Sequence, residues 1–159
     1  MLGTLVDYLH NARVPFRLAS YPSEEDRPIA GHPLPPGGML VDTRLVVAGG
    51  RPVLAVFPAD EHVDLAAIST ALGDAASLAS MDHLPEDFRR ALGPVPPFGQ
   101  LLGIPIALDA RVASAATLVF RAFNESTYFE IPYDEWARLE QPRVASFSSM
   151  GELGAATAR

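Results

Sequence analysis

The chain has 159 residues, 48% of them hydrophobic and 19% charged, which suits one folded domain with a core of its own. It contains no cysteine and no lysine, so disulfides, thiol nucleophiles, thiolate metal sites, Schiff-base chemistry and the phosphate-binding P-loop are excluded. Its 12 basic residues, all arginine, and 19 acidic residues give a net charge of −7, which disfavours extended contact with nucleic acid but permits contact with the tip of a strand.

The N-terminal part of the chain predicts a helix, a strand and a long loop. Apolar residues at helical spacing indicate a helix over residues 2–12, and alternation after it indicates a strand over residues 14–19. Residues 21–38 hold five prolines and three glycines among acidic residues, a composition typical of an irregular loop. Loops of this length in a compact domain are usually functional or mobile.

A β-hairpin is the clearest local prediction. Two apolar, β-branched runs, residues 39–48 and 51–57, flank Gly49-Gly50, and a pair of glycines tolerates the positive φ angles of a tight hairpin turn. Apolar spacing then predicts a helix over residues 60–73. Three acidic residues fit the N-terminus of that helix, where the macrodipole favours negative charge: Asp60, Glu61 and Asp64.

The C-terminal half adds helices and strands on either side of a proline-rich loop. The predicted elements are a strand at Leu78, a helix over residues 82–90, the loop 93–99, strands over 101–108, 116–123 and 127–131, a turn at 124–126, and a helix over 132–139. Trp136 is predicted to lie on the buried face of the last helix.

Hairpin connections dominate this order of elements, which disfavours a doubly wound parallel sheet. We therefore predict an α/β fold of the α+β-like kind, with a mixed, mostly antiparallel central sheet and helices around it. Residues 1–147 are predicted to form a single domain. Residues 148–159, rich in glycine, alanine and serine, are predicted to form a flexible tail or the start of a linker.

The proline-rich loop, residues 93–99, reads Gly-Pro-Val-Pro-Pro-Phe-Gly. Its prolines fix φ near −65° and remove backbone donors, while the flanking glycines permit close backbone approach. A rigid loop of this kind presents main-chain groups to a ligand above it, although a plain connection between two elements is the commoner role of such a segment.

Four segments follow one another in a fixed order. They are Val56-Phe57-Pro58-Ala59-Asp60, then Val63-Asp64-Leu65 opening a helix that ends at Leu72-Gly73, then the loop 93–99, then Ile106-Ala107-Leu108-Asp109. In this order and spacing the chain resembles the YbaK/ProX family of aminoacyl-tRNA deacylases, the editing domains associated with prolyl-tRNA synthetase. The resemblance extends from about residue 5 to about residue 139. The order in which the segments appear carries it, and no single motif is highly specific.

The resemblance implies a pocket that holds the aminoacyl ester on the terminal adenosine of a mischarged tRNA. The family's Gly-x-x-x-Pro loop lines that pocket with backbone groups, and Gly93 and Pro97, at its two ends here, are candidate catalytic residues. Backbone donors of the loop would polarise the ester carbonyl, and Pro96, Phe98 and Gly99 are candidate substrate contacts. No metal ion and no cofactor are implied, and small pockets of this kind select substrates by exclusion.

The start of the first hairpin strand departs from the family pattern. Family members carry a Lys-Thr pair there, with the lysine toward the pocket, whereas this chain has Asp42-Thr43, both candidate catalytic residues. The acid reverses the local charge where an ester or phosphate is expected. Arg44, one residue later, is predicted to point to the other face of the strand. We therefore predict that deacylation by this chain is weak or absent.

Few other polar residues are candidates for the site. The four histidines show no metal-ligand spacing: His10, His32, His62 and His83. His32, in the long loop, is retained as a substrate-binding candidate. Asp109, after an apolar strand, either binds the ribose of the terminal adenosine or is a strand-end turn acid, which is the commoner role.

Three functions are open at this stage. The first is an aminoacyl-tRNA editing hydrolase acting in trans on the tRNA 3′ end, favoured by the retained loop. The second is a catalytically degenerate ligand-binding or regulatory module, part of a larger fusion protein, favoured by the acidity, the absence of lysine and Asp42. The third is a nucleotide-binding protein unrelated to editing, which no phosphate motif supports. Without a membrane-span-length apolar run or a secretory signal, we expect no membrane contact and a cytoplasmic location.

Overall fold

The computed structural model describes residues 2–21, 34–79, 95–121, 126–149 and 157–158. The helices in these ranges are α1 (Leu2–Asn11), α2 (Leu65–Leu72), α3 (Gly99–Leu102) and α4 (Tyr133–Glu140), with a 3₁₀ turn at Val112–Ser114. The strands are β1 (Arg17–Ser20), β2 (Gly38–Ala48), β3 (Arg51–Pro58), β4 (His62–Asp64), β5 (Ala76–Leu78), β6 (Ile106–Asp109), β7 (Thr117–Arg121), β8 (Thr127–Pro132), β9 (Arg143–Ala145), β10 (Ser148–Ser149) and β11 (Thr157–Ala158).

One large sheet organises the molecule. Its strands lie in the order β1-β8-β7-β2-β3-β6-β9, and β5 pairs with a further part of β2. The pairs β1–β8, β8–β7, β2–β3 and β2–β5 are antiparallel, and β7–β2, β3–β6 and β6–β9 are parallel. Strands β10 and β11 both pair antiparallel with β4 in a separate small sheet. The prediction of a mixed, mostly antiparallel sheet with helices around it is confirmed.

The β2–β3 hairpin forms where the sequence predicts it. Its last register pair places Ala48 opposite Arg51. Gly49 and Gly50 connect the strands with φ angles of 58° and 77°, left-handed values that glycine adopts without strain and that a two-residue hairpin turn requires. Because β2 and β3 lie at the centre of the strand order, this hairpin positions the strands on either side of it.

The sheet buries a hydrophobic cluster on each face. Side chains alternate along β2, so Val41 and Leu45 join one cluster and Val46 joins the other. The first cluster packs α1, α3 and α4 onto the sheet and includes Leu5, Leu9, Phe98, Leu102 and Trp136. The second packs α2 and includes Phe57, Val63, Ile68 and Phe147. Full burial of Trp136 confirms the prediction that it belongs to the core.

Other predicted elements are confirmed with ends shifted by a few residues: α1, β1, β5, β7, β8 and α4. The largest shift is at β1, which begins at Arg17 although alternation predicts a strand from residue 14. Arg13 adopts a φ of 58°, and the N–H of Val14 donates to Leu9 O at 3.0 Å. These contacts belong to the end of α1, so the strand starts after them.

The helix predicted over residues 60–73 begins later, at Leu65. Strand β4 precedes it because β10 and β11, from the far end of the chain, pair with these residues. Asp64 then caps α2, since its Oδ1 accepts from the N–H groups of Ala66 and Ala67 at 2.9 and 3.1 Å. Of the three acidic residues predicted for this helix N-terminus, Asp64 alone lies there.

The strand predicted over residues 101–108 is also shorter than expected. Its first residues belong to α3, a single helical turn that ends at Gly103 with a φ of 70°, and β6 starts at Ile106. Leu102 in the helix and Ile106 in the strand are both buried. An apolar run of this length is compatible with either element, so hydrophobicity alone does not separate them.

Parts of the predicted C-terminal tail are paired. Ser148–Ser149 and Thr157–Ala158 form β10 and β11 on β4, and the domain boundary at residue 148 stays a prediction. The predicted helix over 82–90, most of the loop over 21–38 and most of the turn at 124–126 lie outside the described residues. Within the ranges that are described, no helix has the length and apolar character needed to cross a bilayer.

Candidate functional site

The large sheet is split along one edge of β2. Strand β7 pairs with residues 38–40 of β2, and β5 pairs with residues 46–48. Between them, residues 41–45 have no strand beside them on that edge in the described part of the chain. We call this gap the split. Backbone N–H and C=O groups on this edge would pair with a neighbouring strand, and without one they need other hydrogen-bond partners. A small ligand can therefore bind at the split.

The backbone of Thr43 points into the split. Leu45 O accepts from Ala79 N at 3.0 Å on the β5 side of β2, whereas Leu40 O accepts from Ala59 N at 2.9 Å on the β3 side. Alternate residues of a strand direct their N–H and C=O groups to the same edge. Thr43 therefore directs both of its backbone polar groups to the edge that Leu45 uses, toward the split.

Thr43 also holds the proline-rich loop across the split. Its N–H donates to Oδ1 of Asp42 at 2.9 Å, so a carboxylate takes the place of a strand partner. Its Oγ1 donates to the carbonyl of Val95 at 2.8 Å. The predicted pair and the predicted loop, 52 positions apart at these two residues, therefore meet at one point.

A small cavity lies at this meeting point. It is lined by Val41, Asp42, Thr43, Val95, Phe120 and Arg121 and has a volume of about 10 Å³. A space of this size accommodates a single water-sized group. The cavity brings together Asp42 and Thr43 with the described start of the proline-rich loop, whereas Gly93 lies outside the described residues.

The remainder of the loop, residues 96–99, is buried. The carbonyl of Pro97 accepts from Trp136 Nε1 at 2.8 Å, which fastens the loop to α4. A Cβ atom at Gly99 would lie 2.1 Å from Ile104 O, so the backbone approach leaves no room for a side chain. Pro96, Pro97, Phe98 and Gly99 therefore anchor the loop in the core. The catalytic role predicted for Pro97 and the substrate contacts predicted for the other three stay predictions.

A buried carboxylate that sequence analysis missed secures the same segment. Glu140, at the end of α4, is 6% exposed. Its Oε1 accepts from Gln100 N at 3.0 Å and its Oε2 accepts from Tyr8 Oη at 2.8 Å. Burial raises the pKa of Glu140 although these donors oppose the shift. Glu140 follows Trp136 by four residues and so shares the buried face of α4; a lone acid on that face was the signal that sequence analysis did not use.

Two arginines add positive charge near Asp42. By strand alternation Arg44 lies on the face opposite Thr43 and on the same face as Asp42. Its Nε is buried and has no hydrogen-bond partner in the described ranges. Arg121, at the end of β7, contributes to the cavity lining. The acid at position 42 therefore does not set the local charge by itself.

Asp109 has a structural position. Its Oδ2 accepts from the N–H groups of Phe147 and Ser148 at 2.9 and 2.8 Å, and its Oδ1 accepts from Arg111 N at 3.0 Å. It is 1% exposed, so a ribose cannot reach it without breaking these bonds. These contacts fit the alternative of a strand-end turn acid, and the predicted contact of Asp109 with the ribose stays a prediction. Glu61, predicted at a helix N-terminus, instead forms an ion pair with Arg111.

The histidines do not assemble a site among the described residues. His10 packs against Phe16 with ring centroids 5.4 Å apart, and His62 lies in β4. His32 and His83 lie outside the described residues. No three histidine, aspartate or glutamate side chains within the described ranges cluster closely enough to hold a metal ion.

Comparison with known protein families gives one match, which covers most of the chain. Residues 36–139 match the family model described as the aminoacyl-tRNA editing domain. This range contains Asp42, Thr43 and the whole proline-rich loop. No curated protein matches the chain.

Solved structures share the fold at low sequence identity. A candidate trans-editing enzyme for prolyl tRNA synthetase is 15% identical, with a TM-score of 0.69, over 92% of this chain and 96% of that one. A candidate signal transduction protein from Marinobacter aquaeolei VT8 is 17% identical, with a TM-score of 0.69 over 92% of this chain. The chain spans 30% of the length of that second protein. At these identities the likeness establishes the fold.

Proposed function

Because this chain belongs to the family of aminoacyl-tRNA editing domains, we propose that it hydrolyses the ester bond of mischarged tRNA, acting in trans in the cytoplasm. The observation that carries the proposal is the hydrogen bond from Thr43 Oγ1 to Val95 O. This bond joins the hairpin strand and the proline-rich loop, the two segments to which the family resemblance assigns the site. The substrate part is the 3′ end of tRNA, a contact small enough for an acidic chain.

Hydrolysis of the ester needs a positioned nucleophile and a polarised carbonyl. The oxygen of water adds to the carbonyl carbon, the bond to the ribose oxygen breaks, and a proton from the water passes to that oxygen. We assign carbonyl polarisation to backbone N–H groups of the loop before Pro96, since residues 96–99 are buried. Gly93 stays a candidate for this part, and Thr43 positions the loop through Val95.

The charge of Asp42 makes the reaction slow in this proposal. A carboxylate opposes the negative charge that develops on the carbonyl oxygen and repels the terminal phosphate groups. Arg44 and Arg121 offset part of that repulsion, since both carry positive charge near the split. We therefore expect hydrolysis above the uncatalysed rate, at a lower rate than a lysine at position 42 would support.

A second function, a catalytically degenerate ligand-binding module, is favoured by one observation. The carboxylate of Asp42 caps the N–H of Thr43 at 2.9 Å, so the acid stabilises the split whether or not a substrate is hydrolysed. In this case the chain binds a ligand at the split without turnover.

The test is deacylation of a panel of mischarged tRNAs by the purified chain, measured as release of labelled amino acid against the uncatalysed ester. We expect at least one substrate to be hydrolysed faster than background. Thr43→Val serves as the matched variant because it keeps the branched side chain and removes the hydroxyl that holds Val95. Background rates across the whole panel, from a chain shown by circular dichroism to be folded, would contradict the proposed hydrolase and favour the binding module.

A further inference from the structure

Three residues that line the cavity at the split carry hydrogen-bond acceptors: Asp42, Thr43 and Val95. Asp42 contributes a carboxylate that already caps the N–H of Thr43. Val95 contributes a carbonyl that accepts from Thr43 Oγ1, and the carbonyl of Thr43 points to the same edge by strand alternation. Each of these groups has lone pairs enough for one more donor. A group with several N–H donors therefore suits this wall of the cavity.

Size and charge narrow the choice of occupant. The cavity volume of about 10 Å³ admits one water-sized group, and an ammonium group has that size. An ammonium carries three donors and a positive charge, which matches three acceptor groups of which one is a carboxylate. Arg121 also lines the cavity, and its positive charge opposes a cation there. Binding of an ammonium group therefore depends on the carboxylate of Asp42.

We propose that Asp42 binds the protonated α-amino group of the aminoacyl ester and so selects aminoacyl esters over N-acylated ones. This inference rests on the proposed function, because the α-ammonium lies one carbon away from the ester carbonyl that the loop would polarise. N-acetyl, N-formyl and peptidyl esters lack the positive charge and exceed the size of the cavity. The chain would reject them at the position where the family pattern has a lysine.

Water is the competing occupant, because it has the same size as an ammonium group. With water in the cavity, Asp42 would act on the attacking nucleophile as a general base. Loss of the carboxylate would then slow hydrolysis of free and N-acylated esters by the same factor. With an ammonium in the cavity, loss of the carboxylate affects the free aminoacyl ester alone.

The test is binding of a ligand that cannot be hydrolysed. Adenosine carrying alanine through a 3′-amide is compared with its N-acetyl derivative by isothermal titration calorimetry. The chain should bind the free amine about tenfold or more tightly, the effect of a charge-assisted hydrogen bond. This preference should fall above about pH 8, where the α-amino group loses its proton.

Two variants complete the design. Asp42→Asn retains an oxygen for the N–H of Thr43 but carries no charge, so it should bring the affinity ratio close to one. Asp7→Asn, at an exposed position on α1, changes the net charge equally and should leave the ratio unchanged. The inference is overturned by equal affinities for the two ligands, by binding of neither, or by an unchanged ratio in Asp42→Asn.

The proposed function is tested separately, by measuring hydrolysis of the panel of mischarged tRNAs. Hydrolysis together with an affinity ratio of one supports the proposed function but overturns ammonium recognition by Asp42. A tenfold ratio without hydrolysis supports ammonium recognition and contradicts the hydrolase. If Asp42→Asn slows free and N-acetylated aminoacyl-tRNA equally, water is the occupant, and ammonium recognition is wrong.

Discussion

Asp42 has two physical consequences at the edge of β2. Its Oδ1 accepts from the N–H of Thr43, which stabilises a stretch of strand that lacks a neighbour in the described ranges. Its negative charge also contributes to the potential where a tRNA end is expected, together with the positive charge of Arg121 in the same cavity lining. A substitution at this position changes both properties, so its effects on stability and on binding must be measured separately.

Asp42→Lys should tighten binding of uncharged tRNA, which has no ammonium group. Two unit charges about 6 Å apart interact by roughly 2 to 3 kcal/mol at an effective dielectric near 20, and solvent reduces this for a half-buried side chain. We expect a severalfold to about tenfold gain in affinity that fades as salt is raised. Filter binding at several salt concentrations measures it. Weaker binding by the lysine variant would show that repulsion by Asp42 is not the limiting term.

Gly99→Ala should destabilise the fold. The new Cβ would meet Ile104 O at 2.1 Å, a backbone atom that cannot move without shifting the start of β6, so we expect a loss of about 1 to 3 kcal/mol. Urea unfolding gives the free energy. Gly3→Ala is the control, because a Cβ there meets nothing within 4 Å and alanine favours the helix. A loss at Gly3 as large as at Gly99 would remove the steric explanation.

At the scale of elements, the contact between β2 and the loop depends on one hydroxyl. Thr43→Val leaves Val95 O without its donor, which should lower the free energy of unfolding by about 1 kcal/mol. Because the loop then loses its position over the split, deacylation should fall by more than stability alone explains. Thr70→Val is the control, since that exposed hydroxyl bonds within its own helix. Equal deacylation rates for Thr43→Val and Thr70→Val would show that the hydroxyl of Thr43 does not position the loop for catalysis.

Glu140 connects α1, α3 and α4 through Tyr8 and Gln100, and its ionisation should affect stability. Burial raises the pKa of Glu140 in the folded state. The folded state therefore holds the proton more tightly than the unfolded state does. The free energy of unfolding must then fall as pH rises from the unfolded-state pKa through the raised folded-state pKa.

Glu140→Gln should remove this part of the pH dependence, because glutamine does not ionise and still offers an oxygen to Gln100 N–H. Urea unfolding at a series of pH values from acid to neutral measures the slope. Asp134→Asn, an exposed change on the same helix, should keep the slope of the unmodified chain. A slope for Glu140→Gln equal to that of the unmodified chain would show that ionisation of Glu140 does not cause this pH dependence.

At the scale of the whole molecule, the C-terminal residues connect distant parts of the chain. Ser148 N donates to Asp109 at 2.8 Å, and both β10 and β11 pair with β4. Deletion of residues 148–159 should lower the free energy of unfolding by about 1 to 3 kcal/mol. Deletion of residues 150–159 keeps the Ser148 contacts and should have a smaller effect. If neither deletion changes stability, the sequence prediction of a flexible tail is supported.

Much of the fold was predictable because its signals are local. The turn at Gly49-Gly50 requires positive φ angles that two glycines supply, and the apolar spacing of α1 and α4 indicates which faces are buried. Errors occurred where one pattern fits two elements, as in residues 101–108, and where a strand depends on a distant partner, as β4 does. The candidate site was predictable only in part, since a motif indicates which residues are near a ligand but not which way each one faces.

The sequence alone determined the chemistry available to this protein, its central hairpin and the succession of segments that resembles an editing domain. These properties depend on residue types and short-range spacing, which the chain carries before it folds. The tertiary structure decided that residues 96–99 anchor the loop in the core and that Asp42, Thr43 and Val95 meet at the split. Such contacts join residues dozens of positions apart, and burial and the edge to which a backbone group points exist only after the sheet has formed.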